Sequence, residues 1–193
     1  MTQAKQRFSD FEEYLSYDDG TDNLYELFNG ELIKVPPESG RNVKIATFLL
    51  LHFAQLIDFG RLRGHGLELE VRGEPRNRYP DLTIIREEHI ELLQRRNTIR
   101  LSMAPPDLVI EVVSPGDVQH DRDYIAKRMQ YQDRGIPEYW LVDPQLQTIT
   151  VLQLQKLVYV EVGVFSGGTS ECIVSPAFPD FPLTAQQIFD TGN

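Results

Sequence analysis

Pro106-Asp107-Leu108-Val109-Ile110-Glu111-Val112-Val113-Ser114-Pro115 and, some thirty residues earlier, Tyr79-Pro80-Asp81-Leu82-Thr83-Ile84-Ile85 together decide the fold. Each reads as a buried β-strand, with aliphatic and β-branched residues on both faces and Pro or Gly punctuation at its ends. Each also carries an acid where a core residue belongs. In the first stretch Val109, Glu111 and Val113 share a face by the period-two rule, so Glu111 interrupts an apolar row. Burying that carboxylate without a partner would cost several kcal/mol, and a cation or a hydrogen-bond network is the usual answer. Asp81 poses the same problem at the start of its own strand. One divalent metal held by oxygen ligands would answer both acids at once. The simpler alternative pairs Glu111 with an Arg or Lys and leaves Asp81 to cap a turn beside Pro80.

Outward from these strands the chain has no visible linker, repeat or low-complexity tract, and its 193 residues suit one domain spanning 1–193, with 1–20 as an N-terminal helical extension. The N-terminus lacks the apolar core of an export signal. The longest apolar run, Ile45 to Ile57, is too short to cross a bilayer and is broken by His52 and Gln55. A lone Cys172 excludes an intramolecular disulfide, and its strand-like context reads as a small buried hydrophobe. A soluble cytoplasmic protein without membrane partners is therefore expected. The net charge of −10 argues against a general nucleic-acid coat, because phosphate affinity comes largely from Lys and Arg. It leaves room for a metal-dependent enzyme whose ligands themselves add to the acid count.

Ser9-Asp10-Phe11-Glu12 reads as a capping box opening a short helix. Asn29-Gly30, between Leu24–Phe28 and Glu31–Val35, is a strong β-hairpin signal. A helix from Arg41 to about Phe59, stopped by Gly60, is apolar on more than one face, with His52 as a satisfied core histidine. Leu67–Val71 alternates as a strand with one wet face does. Glu87–Asn97 reads as a charged surface helix, and Gln119–Arg134 as a helix closed by Gly135. On that last helix Asp123, Lys127 and Tyr131 share a face, so an exposed Asp123–Lys127 pair is the plain reading of Lys127. Glu138–Val142, Thr148–Leu154, Leu157–Val164 and Glu171–Val174 are strand candidates. Thr184 and Gln187 box a C-terminal helix. The whole reads as an α/β mixed sheet flanked by helices, with an N-terminal β-hairpin and extra C-terminal strands. Walker, dinucleotide, G-x-S-x-G, HExxH and paired-cysteine motifs are absent from the sequence.

Pro80-Asp81, then Glu111-Val112-Val113, then a helix bearing Lys127 resembles the PD-(D/E)XK nuclease superfamily. Tyr25-Glu26-Leu27, Asn29-Gly30-Glu31, Pro36-Pro37-Glu38-Ser39, Ser114-Pro115, Asp121-Arg122 and Glu138-Tyr139-Trp140-Leu141-Val142-Asp143-Pro144 narrow this to a resemblance to the bacterial Uma-two family, restriction-endonuclease-like proteins. The superfamily lysine stands two residues after the Glu, where this chain has Val113. The resemblance implies that Lys127 on the following helix replaces it. It also implies a restriction-endonuclease-like fold and hydrolysis of phosphodiester bonds, with DNA as substrate. Asp81, Glu111 and the Val112 carbonyl would hold Mg²⁺ or Mn²⁺, with Glu26 as a third acid and Asp81, Glu111 and Lys127 catalytic. Asp107 shares a face with Glu111 but lies roughly 13 Å along the strand, too far to share its metal. Apolar excess on the Arg41–Phe59 helix and in the last strands suits a homodimer. The second reading is a catalytically inactive nuclease-fold module that binds partners.

Overall fold

In a computed structural model, which describes residues 7–116 and 122–192, the two stretches form adjacent antiparallel strands in the interior of a six-stranded sheet. The elements in chain order are α1 (Phe11–Leu15), β1 (Tyr25–Phe28), β2 (Glu31–Lys34), α2 (Gly40–Phe53), β3 (Leu62–Gly64), β4 (Glu68–Glu70), β5 (Asn77–Arg78) and β6 (Leu82–Ile84). They continue with α3 (Glu87–Leu92), β7 (Thr98–Ile99), β8 (Leu108–Val112), a π-helical turn Arg122–Lys127 running into α4 (Arg128–Arg134), β9 (Glu138–Asp143), β10 (Thr148–Gln155), β11 (Val158–Ser166) and α5 (Ala185–Thr191). The main sheet has the order β11-β10-β9-β8-β6-β3, and within it only β8 and β9 run parallel. That parallel pair requires a crossover, which the π-helical turn and α4 help to provide.

The two faces of the sheet carry separate cores. Ile45, Leu49 and Phe53 of α2 and Ile188 and Phe189 of α5 pack on Leu82, Ile84, Ile110 and Trp140. On the other face Tyr131 and Ile136 pack with Val109, Val113, Tyr139 and Leu141, joined by Leu67, Leu69 and Ile99. β8 is thus buried on both sides, as its unbroken apolar run requires. The hairpin β1-β2 turns at Asn29 and Gly30, both with positive φ, and lies apart from the main sheet. A three-stranded sheet, β5-β4-β7, completes the molecule.

Several sequence expectations change in the structure. α1 is capped by Asp10, whose side chain accepts from Glu13 N–H, one position later than a box led by Ser9 would place it. α2 ends at Phe53 with Ala54 as its cap, and Gly60 lies in a 3₁₀ turn instead of closing the helix. The half-buried His52 answers its own need by bonding the Phe48 carbonyl one turn back. α3 stops at Leu92, well short of Asn97. β4 has no wet face: Glu68 and Glu70 are both buried, Glu68 among Tyr14, Tyr79, Asn77, Thr98 and Arg96, and Glu70 against Arg100. Cys172 is exposed, and its segment contributes only a bridge to Thr184. The start of the Gln119 helix and Asp121 fall outside the described residues, as does the side chain of Asp123. No helix among the described residues is long and apolar enough to cross a membrane.

Candidate active site

The antiparallel register pairs Leu82 with Ile110, and one further step sets Asp81 opposite Glu111. Both acids are buried, Asp81 at 6% exposure and Glu111 at 1%. The Asp81 Oδ2 accepts a 2.7 Å hydrogen bond from the Val112 N–H, which fixes the carboxylate against the end of β8. Burial, and next the negative charge of Glu111, push the Asp81 carboxyl well above its ordinary range, against the opposing pull of Lys127 and the Val112 N–H. Glu38 adds to the upward push, so a third acid stands within electrostatic reach.

Glu111 receives what its position on an apolar strand demands. Lys127 Nζ donates to Oε2 at 2.7 Å, and the Tyr131 hydroxyl donates to Oε1 at 2.5 Å. Both donors come from the helical segment after β8, one turn apart, so a single helix surface answers the buried charge. The π-helical turn ends at Lys127, and such widened turns frequently occur at functional sites. Tyr131 is fully buried, and burial together with the adjacent Glu111 carboxylate holds its hydroxyl protonated, as a donor to that carboxylate. Lys127 is likewise buried, at 6% exposure, so it is not the solvated surface lysine of the plain reading.

Asn42, on the inner face of α2, ties the far end of β8 to that helix. Its amide nitrogen lies 3.1 Å from the Val112 carbonyl oxygen, 3.1 Å from Ser114 Oγ and 3.3 Å from a Glu38 carboxylate oxygen. His65, between Gly64 and Gly66, brings Nδ1 to 4.0 Å from Asp81 Oδ1, and burial lowers its pKa. The structure therefore brings together Asp81, Glu111, Val112 and Lys127, and adds Tyr131, Asn42, Glu38 and His65. Glu26 is engaged elsewhere: it forms a two-pronged ion pair with the buried Arg78, which also bonds Gln130. Asp107 pairs with Arg61 and Arg86. Among the added residues Glu38 sat in a quoted motif and Tyr131 on the helix face shared with Lys127; Asn42 and His65 left no pattern, since their partners are remote in sequence.

The donor set of two carboxylates and a main-chain carbonyl is of the hard-oxygen type that suits Mg²⁺ or Mn²⁺. Among the described residues, no group of three or more His, Cys, Asp or Glu side chains is gathered at ligating distance. A raised Asp81 carboxyl beside a second buried acid is the signature of a pair that one lysine does not fully neutralise.

This geometry and topology have a counterpart among solved structures. The fold is similar to that of a "putative nuclease" from Anabaena variabilis, with a TM-score of 0.68 at 19% identity, over 94% of this chain and 98% of that one. It is a nuclease-like fold with one acid on β8 and a second at the start of the neighbouring β6. The match of residues 11–186 to the Uma2 model, described as "Putative restriction endonuclease", spans nearly the whole sequence, and the chain belongs to the Uma2 family. No curated protein matches it.

Proposed function

We propose that the protein is a metal-dependent endonuclease that hydrolyses phosphodiester bonds in DNA, with Asp81, Glu111 and Lys127 as its catalytic residues. The observation that carries this reading is the Lys127–Glu111 contact, because it supplies the cation that Val113 cannot. Asp81, Glu111 and the Val112 carbonyl would hold Mg²⁺ or Mn²⁺. When bound, the ion lowers the pKa of a water and stabilises charge on the phosphate.

Lys127 has two tasks in this arrangement. It holds the Glu111 carboxylate in place, and its ammonium is a compact positive charge for the phosphate oxygens at the same carboxylate edge. Tyr131 fixes the other Glu111 oxygen, so the carboxylate cannot rotate. Asn42 fixes the Val112 carbonyl and Ser114 as the strand leaves the sheet. Glu38 is the acid nearest to completing the set, in place of Glu26, because its charge acts directly on Asp81. Exposed Leu51 and Phe59 beyond α2's core face, with Leu157, Val158, Val160 and Val164 on the last hairpin, offer apolar surface that a second copy would cover in a homodimer.

A cleavage assay on mixed DNA tests the assignment. Wild-type protein nicks with Mg²⁺ or Mn²⁺ and not with a chelator. Asp81→Asn, Glu111→Gln and Lys127→Met each lose at least about a hundredfold in rate, of the order seen when one transition-state contact is removed, while circular dichroism stays native. Retained metal-dependent activity in any of the three would remove that residue from the site. A folded wild-type protein that neither binds metal nor nicks would instead support the inactive-module reading.

A further inference from the structure

α2 is apolar on more than one face, and beside its buried core residues Ala46 and Leu50 pack on the core only in part. Ile45, Leu49 and Phe53 face the sheet, whereas Val43, Ala46, Thr47 and Leu50 line a cleft of about 370 Å³. Pro37, Gly64 and His65 complete its lining, together with the acids Glu38 and Asp81. The width of the cleft depends on Gly64, since a Cβ there would already lie 3.8 Å from Leu50 Cδ1 and a longer side chain would fill the gap. The volume lies within the roughly 300–1,000 Å³ of pockets that enclose small organic groups.

The walls have the wrong chemistry for a sugar-phosphate backbone, which is recognised by cations and N–H donors. They suit the apolar faces of a nucleobase. A base stacked and paired in duplex DNA cannot enter a cleft; an unstacked one can. We infer that this cleft receives an unpaired nucleobase of the strand whose phosphate lies against Asp81 and Glu111, so that the preferred substrate is single-stranded or locally unpaired DNA. The inference rests on the nuclease reading above and specifies its substrate. The net charge of −10 agrees with it, because affinity drawn from base contact needs fewer cations than affinity drawn from backbone contact.

The test compares binding of a labelled short DNA strand with binding of its blunt duplex, by fluorescence anisotropy with Ca²⁺, alongside Mn²⁺ calorimetry on the same samples. The single strand binds about tenfold or more tightly than the duplex, the size of one base contact. Thr47→Trp, an exposed change at the cleft, and Ala46→Phe within it each abolish that preference while Mn²⁺ binding is unchanged. The two variants guard against a folding failure in either. A duplex bound as tightly as the strand, or a preference that survives both substitutions, would overturn the inference. Loss of Mn²⁺ binding by wild type would refute the metal site separately, whatever the strand preference.

Discussion

Glu111 on an apolar strand row is the residue from which everything else follows, and donors such as Lys127 and Tyr131 define how it is tolerated. A buried carboxylate with one lysine and one tyrosine is stable only as a set. Truncating Lys127 to Ala removes the ammonium that neutralises this buried acid, and should cost about 3 kcal/mol of folding stability, measured by urea unfolding. The double variant Glu111→Leu/Lys127→Met should recover most of that loss while remaining inactive, because an apolar pair of similar volume no longer needs neutralising. If the double variant is as unstable as the single, the pair does not carry the energetic role given to it. Sequence alone located Asp81 and Glu111 from the burial conflict, but Lys127 was ambiguous. Helical periodicity gave its face without saying whether that face met water or the sheet.

Glu138 makes a second residue-scale point. It accepts from Trp140 Nε1–H, the Ser175 hydroxyl and the Ala177 N–H, yet burial outweighs these donors and raises its carboxyl above 4.5. The folded protein then holds this proton more tightly than the unfolded chain does. The contribution of Glu138 to stability is fully present below about 4.5 and is lost as pH rises through the folded value. Unfolding free energies measured across that window should fall less steeply with pH in Glu138→Gln than in wild type. Parallel curves would contradict the assignment.

At the scale of elements, several turns and caps decided by adjacent residues were legible, although the box led by Ser9 lies one position off and Gly60 does not close α2. The Asn29-Gly30 hairpin, the Thr184–Gln187 box and the Gly135 stop, with φ of 80°, all form as the sequence directs. Gly30 is required twice over: its φ is +75°, and a Cβ would come within 2.7 Å of the Phe8 carbonyl oxygen. Gly30→Ala should therefore destabilise the fold by about 1–3 kcal/mol in chemical denaturation. Elements whose nature depends on distant partners were not legible. The acids of β4 alternate as solvent-facing residues do, but Tyr14, Asn77, Tyr79, Thr98 and Arg96 arrive from three other parts of the chain to bury Glu68. The end of α2 is not legible because its apolar pattern continues past Phe53, with Ala54 and Ile57 still packed on the core.

For the whole molecule, the mixed sheet and its flanking helices were foreseeable from two buried strands, a hairpin and interleaved helix signals. Of the small β5-β4-β7 sheet only β4 was, because β5 and β7 have two residues each and leave no periodicity to read. The acidic balance has its own consequence. With few cations to spare, DNA binding should depend weakly on salt, with a slope of log K on log salt shallower than that of a protein neutralising about six phosphates. A slope that steep or steeper, from binding isotherms at several salt concentrations, would mean that a basic surface, and not the cleft, holds the nucleic acid.

The most direct test of the central claim is a calorimetric titration of Mn²⁺ into the wild-type protein and into Asp81→Asn. The account predicts saturable binding to wild type that is lost in the variant, with both proteins folded. Equal binding to both, or none to either, would contradict a metal centre built on Asp81 and Glu111.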